Sequence, residues 1–179
     1  MSGFIRGVGI LLLVCIPWVH AAETRDPQRY FFDESFGDLT EELENVRDQG
    51  KRGILIMFEM DECPFCHRMK ATVLNQPDVQ DYFKSHFLIL PIDVEGDVEI
   101  VDFQGRQTAM KDFAFEQFRV RATPVFAFFD PDGNMLTRYT GATRDKDEFL
   151  LLGRYVVENI YLEEPFARYK RRMKQQAQP

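Results

Sequence analysis

Apolar and polar residues alternate along the chain in short stretches of helical or extended spacing, with no internal repeat and no low-complexity linker between them. Phe36, Leu39, Leu43 and Val46 recur at helical spacing up to Gly50, and Ser35 with Asp38 three residues on reads as a capped start. Gly53-Ile54-Leu55-Ile56-Met57-Phe58 is a continuous apolar run of the kind that forms a strand buried on both faces. A helix is expected over residues 63–75, a second over 77–84, and an apolar strand over 87–92. Residues 99–103 predict a short strand, and Met110, Phe113 and Phe118 give helical spacing to residues 108–118. An aromatic-rich strand over 124–129 is closed by the turn Asp130-Pro131-Asp132-Gly133, and residues 135–141 pair back as a hairpin. The last helix, over 144–161, carries Phe149, Leu152, Val156 and Ile160 on one face, and Pro165 breaks the pattern beyond it. This order predicts one α/β domain, a central mixed sheet flanked by helices on both faces.

The N-terminus changes the picture. Arg6 precedes an apolar run over residues 7–19, and Val19-His20-Ala21 has the residues of a cleavage site after Ala21, so residues 1–21 read as a cleaved signal peptide. The run is shorter than the roughly 20 residues that span a bilayer, which disfavours an uncleaved anchor. Export to the periplasm is therefore expected, with a domain over 22–161 and a basic extension over 162–179. The 179-residue chain has a formal charge of -7. Loss of Arg6 with the signal peptide moves it to -7 - 1 = -8. The acidic domain as a whole offers no positive face to a phosphate backbone, which disfavours nucleic acid as a partner. Arg168, Lys170, Arg171, Arg172 and Lys174 crowd the C-terminus and read as a solvated helical extension.

Removal of the signal peptide also removes Cys15 and leaves only Cys63 and Cys66. Exported chains use cysteines as staples that close long loops, and a pair three residues apart closes almost none. Its purpose is therefore chemical. A thiolate attacks a disulfide, and a second thiol must release the mixed disulfide that forms. Cys63 at a helix N-terminus is expected to be exposed and held as the thiolate nucleophile, with Cys66 one turn inward as the resolving thiol. Pro64 suits the first turn because its missing N–H is not needed there, and Phe65 offers an apolar contact to an incoming peptide. Asp61 and Glu62 act against the thiolate.

The string Phe58-Glu59-Met60-Asp61-Glu62-Cys63-Pro64-Phe65-Cys66-His67-Arg68-Met69, with Arg121-Ala122-Thr123-Pro124-Val125-Phe126 far downstream, resembles the periplasmic thioredoxin-like family. Within it the chain looks most like the SoxW-type thioredoxins associated with sulfur oxidation, over residues 30–161. The resemblance implies a cis peptide bond at Pro124 facing the cysteines, with the Thr123 backbone pairing to an extended substrate strand. Two departures stand out. Many thioredoxins carry a buried acid six residues before the first cysteine, where this chain has Met57, and Glu59 is a candidate substitute for proton transfer beside its plainer reading as a solvated strand end. The stretch between Cys66 and Pro124 is also longer than in a minimal thioredoxin and has room for a substrate-selective insertion.

Cys63-Pro64-Phe65-Cys66-His67 also matches the attachment string of c-type haem, the alternative reading. Zinc would need more ligands than two cysteines and His67 provide, with His86 the one other histidine outside the leader. A monomer with neither cofactor nor metal is expected. A DsbA-type oxidase usually carries a large helical insertion and a DsbC-type isomerase a dimerisation domain, and there is room for neither. The favoured reading is a periplasmic reductant, recharged by a membrane thiol-disulfide donor and acting on protein disulfides or on carrier-bound sulfur.

Overall fold

The computed structural model describes residues 23–176. The expected signal peptide, with Cys15, and the last residues of the tail lie outside the described residues. After the short helix α1 (Pro27–Tyr30) comes α2 (Leu39–Asp48), then β1 (Gly53–Glu59), α3 (Pro64–Thr72), α4 (Pro77–His86) and β2 (Phe87–Asp93). A hairpin, β3 (Glu99–Val101) with β4 (Gln107–Ala109), leads through α5 (Met110–Asp112) into a π-helical turn, Phe113–Gln117. The strands β5 (Val125–Phe129) and β6 (Met135–Thr140) and the helices α6 (Lys146–Val157) and α7 (Phe166–Gln176) complete the chain, with a 3-10 turn at Ile160–Leu162.

The main sheet has the order β2-β1-β5-β6. β1 pairs parallel with β2, from Gly53 with Phe87 to Glu59 with Asp93, and antiparallel with β5, from Ile54 with Phe129 to Phe58 with Val125. The central strand is the continuous apolar run because both its faces are covered. Leu55 and Met57 of β1 join Phe126 and Phe128 of β5 in a cluster with Met69, Phe83 and Phe149 from α3, α4 and α6. Ile54, Ile56 and Phe58 face the other way, into a cluster with Leu39, Leu43, Ile100 and Phe113. This period of two lets helices cover both sides of the mixed sheet, and with the strand order it gives the thioredoxin fold that the resemblance implies. Gly53 permits the close start of β1, since a Cβ there would lie 1.8 Å from the Phe129 carbonyl oxygen.

Several expected boundaries move. The first long helix starts at Leu39 rather than Ser35: Gly37 sits at φ 87, and Asp38 caps the helix by accepting from the Thr40 and Glu41 N–H groups at 2.8 and 3.2 Å. Phe36 is consequently fully exposed. The strand expected over 99–103 stops at Val101, because Asp102 turns inward to close the hairpin, and residues 107–109 pair with it instead of beginning a helix. The last long helix ends at Val157, where Asn159 adopts a left-handed φ of 59.

The C-terminal helix is not merely solvated. Tyr169 is buried, its ring 5.7 Å from that of Tyr155, while Lys170 pairs with the buried Glu148 at 2.7 Å. Its apolar face, Phe166, Tyr169 and Met173, belongs to the cluster that holds the cysteines.

Candidate active site

β1 delivers the chain to the start of α3, and Cys63 is the N-cap of that helix, extended at φ -111 while Pro64 begins the first turn. The Cys63 Sγ accepts a hydrogen bond from the Cys66 N–H at 3.1 Å, the place a capping oxygen takes in other helices. The two sulfurs are joined as a disulfide, with Cα atoms 5.2 Å apart. The expected exposure of Cys63 is corrected here: both cysteines are 2 % exposed, drawn into the apolar cluster on the α3 side of the sheet. Pro64 and Phe65 do stand out, Phe65 being 60 % exposed.

Two opposing electrostatic influences act on a Cys63 thiolate. The N–H bond and the helix dipole favour it, a combination worth up to about 2 kcal/mol in partly buried geometry. Asp61 and Glu62 disfavour it, but both are exposed, where even a charge about 4 Å away is worth only about 1 kcal/mol. Burial in the apolar cluster also opposes the thiolate, so the helix terminus is the one influence that favours it.

Thr123-Pro124 is a cis peptide bond, as the resemblance implies. Pro124 is buried, and its carbonyl accepts from the Gly141 N–H at 2.8 Å. Phe58 pairs with Val125, so the cis bond opens β5 at the same end of the sheet from which β1 leaves for the cysteines.

Met57, where a buried acid was absent, is wholly buried. Glu59 lies two residues on, on the same face of β1, and it is no solvated strand end. Its carboxylate pairs with Lys70 of α3 at 2.7 Å, both side chains being mostly covered. The Lys70 ammonium also lies 5.7 Å from the centre of the Phe32 ring. Lys70 escaped the sequence reading because only packing of α3 on β1 brings residues eleven apart together. His67 donates from Nε2 to the Asp61 carbonyl at 2.7 Å and braces the loop before Cys63.

These placements do not fit haem. Thioether attachment needs both sulfurs open to the ring, whereas they are buried and bonded to each other, and the His67 Nε2 is directed at the Asp61 carbonyl rather than left free for iron. Among the described residues, no group of three or more His, Cys, Asp or Glu side chains is placed to hold a metal ion, and no helix is long and apolar enough to cross a membrane.

Comparison with known proteins agrees with this geometry. The thioredoxin-like domain family matches residues 39–156. Among solved structures, a thioredoxin from Thermus thermophilus superposes with a TM-score of 0.55 at 23% identity, covering 72% of this chain and 88% of that one. A thioredoxin-fold protein from Helicobacter pylori gives 0.55 at 19% identity, over 70% and 82% of the two chains. A putative disulphide-isomerase from Bacteroides thetaiotaomicron gives 0.53 at 22% identity, over 75% and 98%. No curated protein matches the sequence. The chain belongs to the thioredoxin-like family, and its paired cysteines at the head of α3 make it a thiol-disulfide oxidoreductase of that fold.

Proposed function

We propose that the protein is an exported, SoxW-like reductant whose Cys63 attacks a protein disulfide or a carrier-bound sulfur. The observation that carries this reading is the Cys66 N–H bonded to the Cys63 sulfur at a helix N-terminus, at the sheet end where the cis Thr123-Pro124 bond lies. In the reduced protein the Cys63 thiolate attacks one sulfur of the substrate disulfide, forms a mixed disulfide and expels the other sulfur as thiolate. Cys66 then loses its proton and attacks the Cys63 sulfur, so the internal disulfide forms and the second substrate thiol leaves. Two electrons pass to substrate, and a membrane thiol-disulfide donor restores them by the reverse exchange. Thr123 offers its backbone to the extended substrate, and Pro64 and Phe65 contact it from the other side.

Glu59 is assigned as acceptor of the Cys66 proton. Its support is its position on the Met57 face of β1, mostly covered and held in place by Lys70 of α3. Glu59→Gln should slow resolution of the mixed disulfide while leaving Cys63 alkylation intact; equal slowing of both steps removes this role.

Trapping tests the assignment of the cysteines. Cys66→Ala should leave a stable mixed disulfide on Cys63 that reveals the substrate by mass, and accumulation in Cys63→Ala instead reverses the roles. The direction of flow is read by redox titration: a potential near the roughly -270 mV of thioredoxin fits a reductant, and one near the roughly -120 mV of strong oxidants contradicts it.

A further inference from the structure

Between β2 and the cis bond the chain inserts the β3–β4 hairpin, α5 and the π-helical turn. The end of this insertion returns to the redox pair. A groove of about 380 Å³ lies there, walled by Met60, Val94, Phe115, Val120, Arg121 and Thr123. Met60 stands in the loop that leads to Cys63, and Thr123 is the residue of the cis bond, so the groove runs between the two halves of the active site.

Phe115 is the unusual wall. Phe113 and Ala114, its neighbours in the π-helical turn, are buried, whereas Phe115 is 52 % exposed. π-helical turns interrupt regular helices mostly where a side chain must be re-aimed, frequently at functional sites. The turn ends on Arg119, a non-glycine residue at φ 51, with the Arg119 N–H bonded to the Phe115 carbonyl and the Val120 N–H to that of Ala114. That left-handed cap is a place glycine ordinarily takes, and strain of this kind tends to persist where function uses it. The Arg121 guanidinium then lies 4.9 Å from the centre of the Phe115 ring and fixes it in the wall.

The groove lining carries the exposed Arg121 on the cis-bond side, which among the described residues pairs with no carboxylate, and one carboxylate, Glu95. Asp61 and Glu62 flank Cys63 on the side of the cysteine loop. A bound segment is therefore oriented, with any carboxylate drawn toward Arg121 and repelled from the cysteine loop.

We propose that this groove is a specificity subsite for a polypeptide segment that carries a large apolar side chain next to its reacting cysteine and a carboxylate farther along, the carboxylate meeting Arg121. The proposal rests on the dithiol-exchange reading and deepens it by naming the kind of partner. The apolar walls exclude water from the substrate side chain, and Phe115 supplies a flat face for it to stack on.

Four synthetic peptides test it on the reduced full chain, each with its cysteine disulfide-linked to thionitrobenzoate, the neighbouring residue Phe or Ser and the next position Glu or Lys. Cys63 attacks the peptide sulfur and expels coloured thionitrobenzoate, and Cys66 then displaces the peptide thiol. Rates are divided by the rate on 2-hydroxyethyl disulfide, which cannot fill the groove. The Phe peptides should react about 10-fold faster than the Ser peptides. The Glu peptides should react about 3-fold faster than the Lys peptides at low salt, an advantage that fades in 1 M salt. Phe115→Ala should collapse the first ratio and Phe115→Leu retain it, while Arg121→Glu should invert the second. Equal rates for all four peptides, or ratios indifferent to these substitutions, overturn the subsite. Failure to reduce 2-hydroxyethyl disulfide at all overturns the dithiol-exchange reading beneath it.

Discussion

Cys63 and Cys66 are embedded in a cluster that includes Met57, Met69, Phe83, Phe126 and Phe149, whereas the insertion that reaches them closes around one carboxylate. Asp102 is fully buried and accepts at 2.9 Å from the Gln104 and Arg106 backbone N–H groups, from the Arg106 side chain and from Gln117 in the π-helical turn. Burial on its own pushes the Asp102 carboxyl up, but these bonds, those from Arg106 foremost, hold it below the usual carboxylate range. The redox pair sits in the apolar cluster on one face of the sheet; the insertion sends Ile100, Phe103 and Phe113 into the opposite cluster, but its hairpin tip is closed by the bonds to Asp102 and is expected to open separately there. The chemistry needs fixed geometry and the recognition arm has to admit a partner.

The largest effect expected is in the core. Phe149→Ala removes a ring stacked on Phe83 at 4.4 Å and should lower the unfolding free energy of the oxidised protein by about 3–5 kcal/mol, read by denaturant titration. The loss should appear in every probe at once, the cysteine helix included. Asp102→Asn should act on the other region alone. It removes one charge and strands several donors, for about 1–2 kcal/mol, because much of the Arg106 side chain is in solvent. Hydrogen exchange should quicken in β3, β4 and the π-helical turn and stay slow in α3. Uniform acceleration would show that the two regions are one unit.

Acid draws the same line more gently. Because the folded Asp102 carboxyl lies below its unfolded value, its contribution is fully present above the ordinary carboxylate range and is lost as pH falls through the folded value. The hairpin should therefore open first below about pH 4, ahead of the cysteine helix. The smallest effect belongs to Arg119→Gly: relief of the left-handed φ is largely offset by glycine's greater freedom when unfolded, leaving a gain of about 0.5 kcal/mol in thermal unfolding.

The same contrast explains what could be read from the chain. Continuous apolar runs at residues 53–58 and 87–92 declared the parallel pair β1 and β2, because burial on both faces calls for apolar residues throughout. The spacing of Cys63 and Cys66 declared the reacting pair. The cis bond before Pro124 came from family resemblance, since a proline opening a strand is permitted in either isomer. The insertion was illegible beyond its extra length: Asp102 becomes a hub only once Arg106 and Gln117 fold around it, and the exposure of Phe115 depends on a π-helical turn that breaks the spacing of Met110, Phe113 and Phe118. The burial of the C-terminal helix was visible in principle. Phe166, Tyr169 and Met173 repeat at helical spacing, hidden among five basic residues after Pro165.

The central claim is that Cys63 is the nucleophile and that the helix N-terminus makes it one. Iodoacetamide alkylation of the reduced full chain over a pH series, with the modified residue identified by mass, tests this most directly. The account predicts alkylation at Cys63 first, half-maximal below the roughly 8.5 of an ordinary thiol, with Cys66 reacting more slowly. Alkylation of Cys66 first, or a Cys63 midpoint near the roughly 8.5 of an ordinary thiol, would contradict it.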